Sequence, residues 1–216
     1  MFLLQFLTGR YTALFFLLCV SSILMRILFQ EFIISDQMYY EALGEQISYE
    51  RITEILEKKK EKWWLPLFFT PVIYALKFSF ISFFFLVGAI FYNYKISFKK
   101  FYQVVIQAEF IFLIPGVLKF FYFLFVAKDF GLQDVSDFNP HSLYFYLKDF
   151  EAVQYIAYPV YLINIFEIGY WILLAYLLKE VLQKKLNDSL KFVLSTYGLG
   201  ILAWAIFVVF LTINLS

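Results

Sequence analysis

Long apolar segments and polar connectors alternate along this sequence. Each apolar segment is long enough to cross a bilayer as a helix, because about 20 apolar residues span the hydrocarbon core. The segments cover about residues 11–34, 65–92, 101–127, 153–178 and 191–215. The pattern predicts an all-α protein, a polytopic membrane helix bundle of five transmembrane helices in a single membrane domain over residues 1–216.

The polar connector between the first and second apolar segments contains a further predicted helix, over about residues 48–62. Ser48 is a suitable N-cap, and Glu54 and Lys58 form a favourable pair one turn apart. Four apolar residues recur at helical spacing on one face, namely Tyr49, Ile52, Leu56 and Trp63. We expect an amphipathic surface helix between spans one and two. A solvated connector and a helix that docks a partner protein are the alternatives.

The composition agrees with a membrane protein. Hydrophobic residues make up 62% of the chain, aromatic residues 24%, and the mean hydropathy is +0.74; these values lie outside the range of soluble domains. Basic residues cluster only beside the apolar segments, so we expect no nucleic-acid partner. The expected partners are the lipid bilayer and other integral membrane proteins. Cys19 lies within an apolar segment and indicates neither a disulfide nor a metal cluster.

The start of the chain has two features of a signal peptide, a basic residue (Arg10) followed by an apolar run. No small-x-small cleavage pattern follows, and Leu18 stands before Cys19 where a lipoprotein signal needs a small residue, so we expect an uncleaved first span. Lys and Arg divide almost equally between the two sides of a five-span topology, and the short basic connectors favour a cytoplasmic N-terminus. Frequent Phe, Ile, Lys and Tyr are typical of an AT-rich microbial genome, which favours a bacterial cytoplasmic (inner) membrane.

Four ionisable residues lie well inside the predicted spans: Lys77, Glu109, Lys119 and Glu167. Each costs about 2.5–3.5 kcal/mol at the centre of a span unless it is paired or hydrated. Depths calculated from the helical rise place Lys77 and Glu167 at one level, which predicts an ion pair between them. Asn164 is expected to hydrogen-bond Lys119 or this pair. Glu109 has no partner at its own level, and Gln107, Lys95 or water are the alternatives for it.

Asn164, Glu167 and Trp171 share one face of the predicted fourth span, which should point into the bundle. The polar cluster has three possible roles. It fixes the register of neighbouring helices, it forms a pathway for a proton, an ion or a small solute, or it contacts a membrane helix of another subunit. If Lys77 and Glu167 pair, Glu167→Leu should destabilise the protein unless Lys77 is neutralised as well.

The sequence lacks the motifs of the common enzyme classes. It contains neither an HExxH nor a GxSxG motif nor a phosphate-binding glycine loop. His141 is the only histidine, in a stretch FNPHS typical of a turn that leads into a short helix capped by Asn139 or Ser142. We therefore assign no catalytic, cofactor-binding or metal-binding residue.

The order of features in residues 65–215 resembles the Ypt-interacting-protein (Yip) family of five-span membrane proteins and its bacterial relatives. A proline-containing third span precedes a turn, and an Asn-x-Phe-Glu element opens the fourth span. The residues that carry the resemblance are Pro140, Ser142, Leu143, Asn164, Phe166 and Glu167. The resemblance implies a non-enzymatic membrane protein with a cytoplasmic N-terminus that acts through other membrane proteins.

Two functions follow from the sequence. The first is a scaffold or accessory subunit of a larger membrane protein complex. The alternative is a small transporter or permease component, in which Lys77, Glu109, Lys119 and Glu167 line a polar path. The carboxylates of a transporter should be reached by water, whereas those of a scaffold should be sealed within protein.

Overall fold

A computed structural model of the protein describes residues 11–150 and 156–215. These residues form helices and no strand, with one isolated bridge between Ser142 and Asn164. The helices are, in chain order, α1 (Tyr11–Phe32), α2 (Asp36–Leu43), α3 (Tyr49–Glu61), α4 (Leu65–Phe91), α5 (Phe98–Glu109), a 3-10 turn (Phe110–Phe112), α6 (Leu113–Phe125), α7 (Leu132–Asp137), α8 (Leu143–Leu147), α9 (Ala157–Leu162), α10 (Ile165–Leu182), α11 (Leu186–Val193), a π-helical turn (Leu194–Gly198) and α12 (Leu199–Leu215).

Within the described residues, four helical stretches are long and apolar enough to cross a membrane. They are Tyr11–Phe32, Leu65–Phe91, Phe98–Phe125 and Leu186–Asn214, of 22, 27, 28 and 29 residues. Their positions match four of the five predicted spans. At about 1.5 Å per residue, each is at least as long as the hydrocarbon core of a bilayer is thick, about 30 Å. The chain is therefore a helical protein with four helices able to span a membrane.

The predicted span over residues 153–178 is not one of these four. Residues 151–155 lie outside the described residues, and the rest forms α9 and α10, separated by Ile163 and Asn164. Asn164 has an extended backbone, and its side-chain oxygen accepts a hydrogen bond from the amide of Glu167 at 2.8 Å. Because such an N-cap begins a new helix, the continuous helix expected over 153–178 is interrupted. A hydropathy pattern does not detect one capping residue inside an apolar run.

The predicted helix over residues 48–62 is present as α3. Ser48 Oγ accepts a hydrogen bond from the amide of Arg51 at 3.4 Å. Ile52 and Leu56 are buried as expected, whereas two other members of the predicted apolar face, Tyr49 (68%) and Trp63 (67%), are exposed.

The predicted pair on α3 also forms. Lys58 donates to Glu54 at 2.5 Å, and this contact, together with one from Arg51, lowers the pKa of the Glu54 carboxyl. Because these groups are exposed, water and salt screen such pairs, and they contribute little to the stability of the helix.

The chain divides into two compact units. The first contains Met1–Phe15, Ala75–Phe112 and Asn139–Ser216, and the second contains Phe16–Tyr74 and Leu113–Phe138. The single membrane domain expected from the sequence stays a prediction. In the second unit, the buried core consists of Ile33, Phe120, Phe123 and Val135.

In the first unit, α10 packs against α5 and α11. Its core is aromatic: the fully buried ring of Phe85 stacks with Phe101 at 5.7 Å, Phe192 at 5.8 Å and Tyr197 at 6.4 Å between ring centroids. Stacked rings of this kind stabilise a core beyond the area that they bury, by about 0.5–1.5 kcal/mol a pair. The stack joins α4, α5, α11 and the π-helical turn.

Gly88 allows α4 to approach the π-helical turn. A Cβ at this position would lie 1.9 Å from Thr196 Cγ2 and 3.4 Å from Phe192 Cε2. Thr196 cannot easily rotate away, because its hydroxyl donates to the carbonyl of Phe192 at 2.5 Å. Close contact through a small residue is the usual way in which membrane helices approach each other.

We expect Gly88→Ala to destabilise the protein by about 1–3 kcal/mol, because the added methyl group overlaps Thr196. The measurement is the melting temperature in detergent. The matched control is Gly116→Ala in α6, where the nearest atom to an added Cβ is Met25 Cε at 4.0 Å. Equal melting temperatures for the two variants would contradict the close packing at Gly88.

Candidate functional site

The centre of the candidate site is an ion pair between Lys77 on α4 and Glu109 at the end of α5. The Lys77 ammonium donates to Glu109 Oε1. The Glu109 side chain is 2% exposed, whereas 42% of the Lys77 side chain is exposed. Lys77 Nζ also lies over the ring of Phe112, 4.9 Å from its centroid. A carboxylate buried to this extent requires a counter-charge, and Lys77 supplies it.

The prediction that Lys77 pairs with Glu167 is wrong. The prediction rests on the depths of Lys77 and Glu167 in the membrane, and these depths assume regular, equally tilted helices that begin at the ends of the apolar segments. The helices are not regular. Helix α5 begins at Phe98 and is followed by a 3-10 turn, while α10 begins only at Ile165. Glu167 therefore lies in the first turn of a new helix, and its depth cannot be counted from residue 153. Glu109, for which Gln107, Lys95 or water is the expected partner, is the residue that Lys77 reaches.

Glu167 is held by neutral donors instead. Its Oε1 accepts hydrogen bonds from Trp171 Nε1 at 2.7 Å and from the Tyr197 hydroxyl at 2.8 Å. The carboxylate is 8% exposed, and its place in the first turn of α10 also lets the helix dipole stabilise negative charge. The hydrogen bond between Trp171 and Glu167 places these two side chains on one face of α10, as predicted, whereas Asn164 lies before the helix as its N-cap.

Three polar groups of the cluster lie at irregularities in the helices. Glu109 precedes the 3-10 turn, Tyr197 lies within the π-helical turn, and Glu167 follows the break at Asn164. The 3-10 turn has a local cause, because Pro115 has no amide hydrogen to donate to the carbonyl four residues earlier, at Ile111. Short 3-10 and π segments inside longer helices occur frequently at functional sites.

Two buried oxygen atoms of the cluster have no hydrogen-bond partner among the described residues, Glu109 Oε2 and the hydroxyl of Tyr170. Tyr170 is fully buried and close enough to Glu109 and Glu167 to interact with both electrostatically. The two carboxylates also repel each other. With one ammonium group against two carboxylates, the cluster is neutral only if it also holds a proton or another positive group.

The five residues predicted as an intramembrane polar cluster have three different positions. Lys77, Glu109 and Glu167 lie together in the first unit, and Asn164 caps the helix that carries Glu167. The prediction for Asn164 is a hydrogen bond to Lys119 or to the ion pair; within its own unit, the Asn164 side chain donates to the carbonyls of Tyr161 and Leu162 and accepts from the backbone amide of Glu167. Lys119 belongs to the second unit, where it is half-buried and attracted by Asp137.

Sequence reasoning missed Tyr170 and Tyr197. Tyr170 lies three residues after Glu167 and so on the same side of α10, which is a signal that the sequence contains. Tyr197 reaches Glu167 only because α10 and the π-helical turn meet in the tertiary structure. His141 occupies a turn, as predicted, with its carbonyl accepting from the amide of Ile165 at 3.3 Å. Ser142 caps α8 by accepting from the amide of Tyr144 at 3.2 Å.

Comparison of the chain with protein-family models, curated proteins and solved structures found no match. The resemblance to the Yip family therefore stays an expectation based on the short motifs of residues 140–167. The candidate site is argued from its own geometry.

We expect Lys77→Met to destabilise the protein by about 1–3 kcal/mol, because it leaves the buried Glu109 carboxylate without a counter-charge. The double variant Lys77→Met/Glu109→Gln should recover most of this loss, since it removes the charge as well as its partner. Thermal unfolding in detergent measures both. Lys95→Met is the control, because this lysine is exposed in the connector between α4 and α5.

The same cycle tests the corrected pairing. Glu167→Leu should destabilise the protein through the loss of its bonds to Trp171 and Tyr197, and Lys77→Met should not compensate for it. Rescue of Glu167→Leu by Lys77→Met, without rescue of Lys77→Met by Glu109→Gln, would show that Lys77 pairs with Glu167 after all.

Proposed function

We propose that this chain is a non-enzymatic integral membrane protein that acts as a scaffold or accessory subunit of a larger membrane protein complex. The observation that carries the proposal is the exposed side of Lys77. This residue lies twelve positions after the start of α4 and fourteen before its end. At about 1.5 Å per residue, it is about 18 Å from one end of the helix and about 21 Å from the other.

At this depth Lys77 cannot extend its ammonium group to either surface of the bilayer, because its flexible stem reaches only a few ångströms. Yet 42% of its side chain is exposed. The neighbouring surface of α4 is apolar, with Leu76 67% and Phe80 51% exposed. A charged side chain in the middle of a lipid-facing helix is unfavourable even when one side of it is paired, so we infer that a polar group beyond the described residues covers its exposed side. A carboxylate or a backbone carbonyl on a membrane helix of another protein meets this need.

The proposal includes a topology. The chain crosses the bacterial inner membrane five times, with α9 and α10 as a broken fourth span, its N-terminus in the cytoplasm and α3 on the membrane surface. Support for a broken span comes from Asn164, whose side chain satisfies a backbone amide at the break and so reduces the cost of an interrupted helix in lipid.

The topology predicts the sides of the connectors. Single cysteines introduced at Glu45, Lys95 and Lys184 in a Cys19→Ala background should be labelled by an impermeant maleimide from two sides. Glu45 should react from outside intact cells, while Lys95 and Lys184 should react only after the membrane is opened. If Lys184 reacts from the same side as Glu45, α9 and α10 together do not cross the membrane and the five-span proposal fails.

The second candidate, a transporter or permease component, is favoured by one observation. The buried Glu109 Oε2, which lacks a partner among the described residues, lies beside the 3-10 turn. In membrane proteins, irregular backbone is tolerated where it is buried in protein or lines a water-filled cavity. If water reaches this point, the cluster becomes a place where a proton or a small cation could be exchanged.

Gentle detergent extraction from native membranes, followed by mass spectrometry, tests the first proposal. We expect a fixed set of membrane proteins to accompany the wild-type chain in constant ratio. The variant Lys77→Met/Glu109→Gln, which should keep its fold, is expected to lose these companions. The variant Lys95→Met, changed in an exposed connector, should retain them. A wild-type chain recovered alone would contradict the accessory role.

A carboxyl reagent separates the two candidates. Treatment of membranes with a water-soluble carbodiimide should leave Glu109 and Glu167 unmodified if protein seals the cluster, while the exposed Glu180 is modified and serves as the positive control. Modification of Glu109 at a rate close to that of Glu180 would favour the transporter instead.

A further inference from the structure

The second unit contains a pocket between the end of α1, the end of α3 and the beginning of α4. Its volume is about 750 Å³, within the range of about 300–1,000 Å³ typical of sites for small molecules. Four basic side chains line it, Arg26, Lys58, Lys59 and Lys62, against the single carboxylate of Glu31. The pocket is therefore strongly positive at one end.

Two of these cations are available to a ligand. Lys58 is paired with Glu54 at 2.5 Å, and Lys59 donates to the hydroxyl of Tyr39 at 3.0 Å. Arg26 and Lys62 are exposed, and among the described residues neither side chain has an ion-pair or hydrogen-bond partner. An arginine fork beside a lysine is an arrangement suited to a phosphate group.

The other end of the pocket is apolar and lies deeper along the candidate spans. Ile23 lies nine residues before the end of α1, and Ile73 lies eight residues after the start of α4. Ile23 is therefore about 14 Å from the end of α1, and Ile73 is about 12 Å from the start of α4. Arg26 is only about 9 Å from the end of α1, and Lys62 lies before α4 begins. Charge at the level of the interface and apolar walls below it reproduce the division of a phospholipid into headgroup and acyl chains.

The entrance has the aromatic residues of a membrane interface. Trp63 lines the pocket, and Trp63 and Trp64 are 67% and 51% exposed between α3 and α4. Tryptophan is enriched at the level of lipid headgroups, where its ring is partly apolar and its N–H can meet water. The pocket mouth therefore lies where a headgroup would lie.

We propose that this pocket binds one anionic phospholipid, with its phosphate between Arg26 and Lys62 and its acyl chains against Ile23, Ile27 and Ile73. A bilayer supplies such a lipid at high local concentration, and basic clusters at the membrane surface attract it. The phosphate of the bound lipid contacts Lys62, just before α4, and Arg26 on α1. The lipid thereby links the beginning of α4 to α1.

The test measures the lipid that the full-length protein retains after purification in a mild detergent, and compares the wild type with variants of the pocket. The retained lipid is extracted and identified by mass spectrometry. We expect wild-type protein to retain close to one phosphatidylglycerol per chain and little phosphatidylethanolamine. The double variant Arg26→Gln/Lys62→Gln should bind phosphatidylglycerol in nanodiscs about 25-fold more weakly than the wild type. This figure assumes a loss of about fivefold in affinity for each of the two charges removed. The matched control is Arg51→Gln/Lys60→Gln, which also removes two charges, from positions of α3 outside the pocket lining.

Two further arms identify the ligand. Ile73→Trp, which fills the apolar end without changing charge, should also reduce retained lipid, and millimolar inorganic phosphate should not displace it. Equal losses for Arg51→Gln/Lys60→Gln and Arg26→Gln/Lys62→Gln would overturn the proposal, because they would show only a diffuse surface attraction. Retention unchanged by Ile73→Trp, or displacement by phosphate, would also overturn it and indicate a site for small anions. Melting temperatures close to that of the wild type establish that the variants are folded.

Discussion

The burial of the Glu109 carboxylate is the constraint on which the first unit depends. Glu109 ends α5 inside a unit whose interior consists mainly of aromatic and aliphatic side chains. Such a group is stable there only with a counter-charge, and Lys77 provides it from the middle of α4. The requirement fixes the register of α4 against α5, because a shift by one residue on either helix would separate the two charges. It also explains why a lysine occupies a position where an apolar residue would suit a lipid-facing helix better.

The helix irregularities and the polar cluster have a common physical explanation. A membrane helix normally satisfies its own backbone groups, and departures from regular geometry release some of them. Here the break before α10 is satisfied by Asn164, and the π-helical turn carries Tyr197 towards Glu167. Glu167 is thus stabilised by two neutral donors, while Glu109 depends on a charge. Two acids in one unit are therefore held by different means, and only the ion pair leaves a charged side chain exposed. That exposed side favours an accessory role over a self-contained structural one.

In the pocket of the second unit, the charged residues lie closer to the ends of their helices, where charge costs less. Charges near the ends of α1 and α4 are tolerated without partners, because water and headgroups are within reach there. Arg26 and Lys62 remain available as a result, whereas Lys77, at mid-helix, is paired. Depth along the helix thus decides which charges are neutralised within the chain and which can attract a ligand.

The sequence by itself determined the helical class and the elements that depend on local patterns. Four spans, the Ser48 cap of α3, the Glu54–Lys58 pair and the turn at His141 follow from hydropathy, capping and i, i+4 spacing, all of which act within a few residues. The sequence also predicts that Lys77, Glu109 and Glu167 lie close together, because a charge inside an apolar segment is stable only beside a counter-charge or another polar group. Only the tertiary structure decided which of them pair, where the fourth predicted span breaks, and that Tyr197 reaches Glu167. Those outcomes depend on the 3-10 turn, the π-helical turn and the Asn164 cap, which shift residues along and around their helices by amounts that a regular 1.5 Å rise does not include.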